Sequence, residues 1–254
     1  MSDIQTNPSA YEVLRIMDGR PLFLEEHYAR LCATLDSIGQ KVPFDIETLR
    51  REIGKVASEN GLKNHNIKIV INDFEKVGGP NVEIFPNPTS YPSPEMYRDG
   101  VKTDLFSAVR NNPQAKIMNA ELREKEDTFI KENGLFEALL VNGENEITEG
   151  SRSNIFFIKG GEVFTSPAEG VLLGITRQRV IRLCKTAGIK VNETRIRVSE
   201  IGSYEAAFIS GTSPKVLPIS QVGETKLDVN NPLLRQIIKL YDQEIVNYNA
   251  QTKN

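Results

Sequence analysis

"FPNPTSYPSP", residues 85–94, decides how the chain is partitioned. Four prolines in ten residues remove backbone donors and fix φ, so the stretch reads as neither helix nor central strand. The reading outward from it is a small N-terminal α/β domain at 1–86, a Pro-rich linker at 87–94 and a larger C-terminal domain at 95–254. On the N-terminal side, "YEVLRIMDGRPLFLEEH" opens as a strand with Tyr11, Val13 and Arg15 on one face and Glu12, Leu14 and Ile16 on the other. Asp18-Gly19 signals a two-residue hairpin, with "PLFL" as its return strand. Leu24, Tyr28, Leu31, Leu35 and Ile38 are at helical spacing, as are Ile46, Leu49, Ile53 and Val56. "NIKIVIND" and "NVEIF" read as strands.

On the C-terminal side, "GVKTDLFSAVR" alternates as a strand and "NAELREKEDTFIKENG" is helical. "LFEALLVNGENEITEG" and "SNIFFIKGGEVFTSP" form a meander, "TRQRVIRLCKTAG" an amphipathic helix, "YEAAFIS" a strand and "PLLRQIIKLYDQEIVNY" a closing helix. The order predicts a mixed α/β (α+β) protein with no internal repeat and no parallel βαβ series.

Composition narrows the function. A net charge of −3 with no basic run argues against nucleic acid, and the longest apolar runs are too short to span a membrane. The polar start "MSDIQTNPSA" does not resemble a signal peptide. Two histidines are too few for a metal cluster, so no metal is expected. Cys32 and Cys184 lack CxxC spacing, which points to a reduced, cytoplasmic protein.

Several residues carry possible chemistry. Lys116, in "NNPQAKIMNAELREK" (111–125), follows a proline and precedes a helix; it is either a solvated loop lysine or a held amine. Gly174, Ile175 and Thr176 open a helix, where free N–H groups suit a phosphate, though Thr176 also reads as a plain N-cap. Ser210, Gly211, Thr212 and Ser213 end a strand and can wrap an anion or form a polar turn. Arg30 flanks its helix's apolar stripe. Glu149, between two apolar strands, needs a cation: a protonated pyridine nitrogen or an arginine such as Arg152. An amine, two anion-binding turns, an arginine and a carboxylate together make up the parts of a pyridoxal phosphate site.

"YEVLRIMDGRPLFLEEHYARL", "ITEGSRSNIFFIK", "GVLLGITRQRV" and "FISGTSPKVLPI", in this order, resemble the class IV (fold type IV) pyridoxal-phosphate enzymes. That family contains branched-chain and D-amino acid aminotransferases and aminodeoxychorismate lyases. The resemblance runs from about Tyr11 past Pro218. It implies a small N-terminal α/β domain, a larger mixed barrel-like C-terminal domain, a cofactor in the cleft between them and a homodimer. It implies pyridoxal 5'-phosphate attached to Lys116, with Glu149 at the pyridine nitrogen and Arg30, Gly174, Ile175, Thr176, Gly211 and Thr212 around the phosphate. It further implies that Leu172 packs on the ring, that Tyr11 lies near the lysine and the substrate, and that Thr212 and Ser213 face the substrate; Val13 and Arg15, on Tyr11's strand face, are expected to face it too. The implied reaction is transamination between an amino acid and a 2-oxo acid; the alternatives are a lyase releasing pyruvate and a binder without turnover.

The chain also departs from the family pattern. The first strand and "DRG…GDG" stretch are missing. "GGPNVEIFPNP" lacks the carboxylate-holding arginine and histidine of D-amino acid aminotransferases, and "KIMNAELR" lacks the "GGNY" of branched-chain enzymes. Arg15, on Tyr11's strand face, becomes the expected carboxylate clamp.

Overall fold

The computed structural model describes residues 8–110 and 113–251; the polar start and Asn111-Asn112 of the lysine segment lie outside them. Chain contacts group into two compact units. One takes the chain up to Ser90 together with Ala115–Asn119 and the C-terminal end from Tyr248; the other takes Tyr91–Gln114 and Ala120–Asn247.

The first unit is a four-stranded antiparallel sheet in the order β2-β1-β3-β4. β1 (Ala10–Met17) turns through Asp18 and Gly19, both at positive φ, into β2 (Arg20–Pro21). The return strand is shorter than "PLFL" because Phe23 adopts φ 57° and caps α1 (Leu24–Asp36). α2 (Ile46–Glu59), capped by Asp45, precedes β3 (His65–Asn72) and β4 (Asn81–Asn87). Leu14 and Ile16 of β1, Leu24, Leu31 and Leu35 of α1, Leu49 and Ile53 of α2 and Ile67, Ile69 and Ile71 of β3 fill the core between helices and sheet. Each such side chain contributes ~1.5–3 kcal/mol of transfer free energy. β1 thus commits one face to the core and leaves Tyr11, Val13 and Arg15 on the other. β4 runs through Pro86, opposite Ile67, which an edge strand tolerates because its outer donors face no partner.

In the second unit, Pro94 opens α3 (Pro94–Asp99) at its first helical position, with Ser93 as cap. β5 (Val101–Ser107), α4 (Ala120–Glu132) and β6 (Glu137–Val141) form a parallel crossover. β7 (Glu146–Gly150), β8 (Asn154–Lys159) and β9 (Glu162–Thr165) follow as antiparallel strands. α5 (Ile175–Thr186) leads to β10 (Val191–Glu193), parallel to β9. β11 (Ile196–Arg197), β12 (Ala206–Gly211), β13 (Lys215–Val222), β14 (Thr225–Lys226) and α6 (Pro232–Gln251), as far as Asn247, complete it. The ten-stranded sheet runs β10-β9-β8-β12-β13-β5-β6-β7-β11, with β14 beside β13. Two separate βαβ crossovers therefore exist where the sequence order suggested no parallel series. Continuously buried strands such as "EALLV" and "NIFFI" reflect cover on both sheet faces.

Candidate active site

In the first unit, the Lys116 segment is laid against β1. Tyr11 N donates to Lys116 O (3.0 Å), Met118 N donates to Ser9 O (3.0 Å), and Ala10 and Ile117 form a bridge. Lys116 N donates to Thr34 Oγ1 on α1 (3.3 Å). A lysine whose peptide is fixed on two sides is not a free loop residue. Its half-buried side chain places Nζ over the Tyr11 ring, 4.6 Å from the centroid. Lys68 Nζ lies over the same ring at 5.2 Å and 3.6 Å from Met118 Sδ. Lys68 is in register with Val13, so Tyr11, Val13, Arg15 and Lys68 share one sheet face.

Arg30 is held from beneath. Its Nε and Nη2 donate to the two oxygens of Glu12, at 2.7 and 2.8 Å. His27 Nδ1 lies 2.8 Å from the same carboxylate. Burial raises the Glu12 carboxyl's proton affinity, but the Arg30 charge and the bonds from His27 and Arg30 override it and hold the group well below the usual carboxylate range. Burial lowers His27, against the pull of Glu12 and helped by the charges of Arg30 and Lys116. The Glu12 carboxylate is thus ionised at neutral pH and orients the arginine through two parallel bonds.

The second unit carries the other cluster. Glu149, at the end of β7, is 2% exposed. Its Oε1 accepts from Arg110 Nη1 (2.7 Å), and its Oε2 accepts from Leu172 N (3.1 Å) and Asn154 Nδ2 (3.5 Å). The arginine partner is Arg110; Arg152 instead pairs with Asp127. Asn154 Nδ2 also donates to Leu172 O (2.8 Å), which fastens the turn that carries Leu172. A Cβ at Gly174 would stand 2.1 Å from Asn154 Oδ1, so any other residue there would push the Asn154 side chain from its place. Gly174 is the N-cap of α5, and Thr176 is its second helical residue rather than the cap. Ile175 and Thr176 are buried at the positive end of that helix, where the first amides have no intrahelical acceptor. Ser210 pairs with Asn154 across the sheet, so its side chain shares that face; its Oγ is buried without a hydrogen-bond partner. Gly211 ends β12 opposite Lys215, and Thr212 and Ser213 follow in the turn into β13, all three half-buried.

Helix-end amides, the Thr176 hydroxyl, an orphaned buried Ser210 hydroxyl and a glycine at the helix cap suit a phosphate. The same cluster ends in a fixed carboxylate beside a half-buried leucine, as a protonated aromatic nitrogen and its ring require. The residues present therefore fit pyridoxal phosphate.

The model of the amino-transferase class IV family matches residues 9–222. The chain belongs to this family. It is an aminotransferase, a pyridoxal-phosphate-dependent class of enzyme. It is 28% identical to the D-alanine aminotransferase of Listeria innocua over 95% of this chain and 88% of that protein. A branched-chain aminotransferase from Thermoproteus uzoniensis, solved with norvaline, superposes with a TM-score of 0.83 at 25% identity, covering 95% of this chain and 86% of that one. A putative 4-amino-4-deoxychorismate lyase from Legionella pneumophila gives 0.83 at 21% identity, over 93% and 91%, a likeness of fold.

The sequence singles out Lys116, Glu149, Arg30 and the turns at Gly174–Thr176 and Ser210–Ser213, but not the residues grouped around them in the structure: Glu12, His27, Lys68, Arg110, Asn154 and Tyr241. Glu12 did leave a signal: a carboxylate at an inward position between Ala10 and Leu14, with His27 and Arg30 three apart on the next helix. Arg110 and Tyr241 left none, since their partners lie 39 and 65 residues away.

Proposed function

We propose that this aminotransferase moves an amino group between an amino acid and a 2-oxo acid, with pyridoxal 5'-phosphate carried on Lys116. The observation that carries this reading is the pinned Lys116 peptide, which holds its amine over the Tyr11 ring, nearer the centroid than Lys68. When bound, pyridoxal phosphate supplies an electron sink for the carbanion that forms when a proton leaves the amino acid's Cα. Lys116 Nζ moves that proton, accepting it as a base and returning it as an acid. Glu149 holds a proton on the pyridine nitrogen, and Arg110 orients the carboxylate for it. Arg30, Ile175, Thr176, Gly211 and Thr212 bind the phosphate, with Gly174 letting the chain approach closely, and Leu172 packs on the ring. Tyr11, Val13, Arg15, Thr212 and Ser213 face the substrate, and Lys68 adds a cation on the Tyr11 face. The unpaired Cys32 and Cys184 support a reducing, cytoplasmic setting, and the enzyme acts as a homodimer.

A half-reaction screen tests the reading. The cofactor-loaded enzyme is mixed with single L- or D-amino acids, and loss of the cofactor's visible absorbance is followed. Loss with an amino acid, recovered on adding a 2-oxo acid, is the expected result. Pyruvate release with no acceptor present would establish a lyase instead, and no spectral change with any amino acid would leave only a binder.

A further inference from the structure

We propose that Tyr241 is a positioning residue that fixes the Thr176 hydroxyl as a hydrogen-bond donor to the cofactor's phosphate. The proposal rests on the reading above, in which the α5 N-terminus takes that phosphate. Tyr241 Oη on α6 lies 3.2 Å from Thr176 Oγ1, and both residues are buried, at 2% and 3% exposure. Either oxygen can be the donor of this bond, and the choice decides what Thr176 offers a ligand. A phosphate dianion has acceptors only. Thr176 has one hydroxyl hydrogen, and it serves the anion only if Tyr241 donates to Thr176 rather than the reverse.

A helical threonine often turns its hydrogen back to the carbonyl four residues earlier. Here that carbonyl is Leu172 O, and it already accepts from Asn154 Nδ2 (2.8 Å) and Gly174 N (2.8 Å). Both lone pairs are engaged, so this competing acceptor is closed. Tyr241 is itself fixed: the neighbouring Asp242 pairs with Lys215, and Glu244 accepts from Arg179 Nη1 at 2.5 Å. Arg179 lies on α5, one helical turn from Thr176, so the same helix pairing that anchors Glu244 brings the two hydroxyls together. A bond passed from tyrosine to threonine to phosphate leaves the threonine oxygen satisfied and its hydrogen directed at the anion. Each step also polarises the next.

The test compares pyridoxal phosphate with pyridoxal, which lacks the phosphate, in equilibrium binding to the full chain. Tyr241→Phe removes one oxygen at nearly constant volume. It should weaken pyridoxal phosphate about tenfold and leave pyridoxal unchanged. Thr176→Val should weaken pyridoxal phosphate at least as much, and adding Tyr241→Phe to it should cost nothing more, because the tyrosine acts through the threonine. Equal weakening of both ligands would make Tyr241 merely structural and overturn the proposal, as would no weakening, or full additivity with Thr176→Val. If Tyr241→Phe fails to fold, 3-fluorotyrosine at 241 replaces it. Its more acidic phenol should tighten pyridoxal phosphate selectively, and unchanged affinity would refute the donor role. Failure of the parent enzyme to prefer pyridoxal phosphate over pyridoxal would instead overturn the phosphate reading, and this proposal with it.

Discussion

Glu137→Gln should flatten the pH dependence of stability. Glu137 lies on β6, 3% exposed, and its Oε1 accepts from Arg152 N at 2.6 Å. A Cβ at Gly150 would stand 2.5 Å from that oxygen, so the carboxyl is enclosed. Burial pushes its pKa up to about 7, against the Arg152 backbone bond and the charges of Arg152 and Arg123. In the unfolded chain the group titrates near 4.5. Below that pH both states are protonated and folding costs nothing extra. As pH rises from 4.5 to 7 the unfolded chain releases its proton while the folded one keeps it, so stability falls, and above 7 the loss is complete. At ~1.36 kcal/mol per pKa unit, the loss is about 3 kcal/mol.

Glutamine keeps an oxygen to accept from Arg152 N and cannot ionise. The assay is thermal melting of parent and variant at pH 5 and pH 8. His27, held low by burial, contributes the opposite slope: its stability is present above its unfolded pKa and is lost as pH falls, so the parent's own profile is a sum. The difference between the two proteins isolates Glu137. About a quarter of the loss has already occurred at pH 5, so the variant should gain on the parent by about 5–10 °C between pH 5 and pH 8, at ~2–4 °C per kcal/mol. Parallel profiles, with the variant shifted equally at both pH values, would refute the argument.

Borohydride reduction of the cofactor-loaded enzyme, followed by peptide mapping, should place the pyridoxyl group on Lys116; label on Lys68 or Lys125 would move the site. Glu149→Gln should retain the cofactor but slow turnover about ten- to hundredfold, because a neutral amide cannot hold the pyridine proton and a charge-assisted bond of ~1.5–3 kcal/mol is lost; steady-state kinetics decide it. Arg15→Lys should raise KM for amino acids and oxo acids with an unchanged cofactor spectrum, since an ammonium cannot copy the bidentate grip. Lys68→Met is the paired control, and an effect there alone would move the carboxylate clamp to Lys68. Arg30→Met should cost stability as well as cofactor affinity, about 3–5 kcal/mol, because it strands Glu12 in the core; adding Glu12→Gln should restore part of the melting temperature without restoring affinity.

Most of the fold was legible because one signal repeats along the chain. The alternation in "YEVLRI" and the helical spacing of Leu24, Leu31 and Leu35 each state which face is buried, and the structure buries that face. Asp18-Gly19 and the caps Asp45 and Ser93 mark their boundaries locally. What local signals do not carry is pairing. The shortened β2 depends on Phe23 leaving the strand at φ 57° to pack edge-on against Tyr248, 4.8 Å away between centroids and far along the chain. The parallel pairing of β5 with β6 depends on α4 crossing between them, which periodicity cannot distinguish from a helix leading to an unrelated strand. The candidate site divides the same way. Lys116 and Glu149 stand in recognisable stretches, whereas their supports are tertiary.

Those supports follow one rule. A buried charge or hydroxyl at the functional residues is oriented by a partner from a distant element: Arg30 by Glu12, Glu149 by Arg110, Thr176 by Tyr241. Each partner is placed where it leaves a specific capacity for the ligand. Glu12 engages the arginine's Nε and Nη2 edge, and Arg110 engages one carboxylate oxygen of Glu149. An unsupported long side chain would lose rotamer entropy on binding, up to ~2 kcal/mol for arginine. Ordering it during folding moves that cost out of the binding step, so a ligand bound at any of these residues would meet a group already aimed. The corollary is that a change to either member of such a charged pair acts on stability as well as on ligand affinity or rate, because it strands a buried partner. A substitution at Glu12 or Arg110 that altered kinetics while leaving the thermal midpoint untouched would therefore contradict this construction.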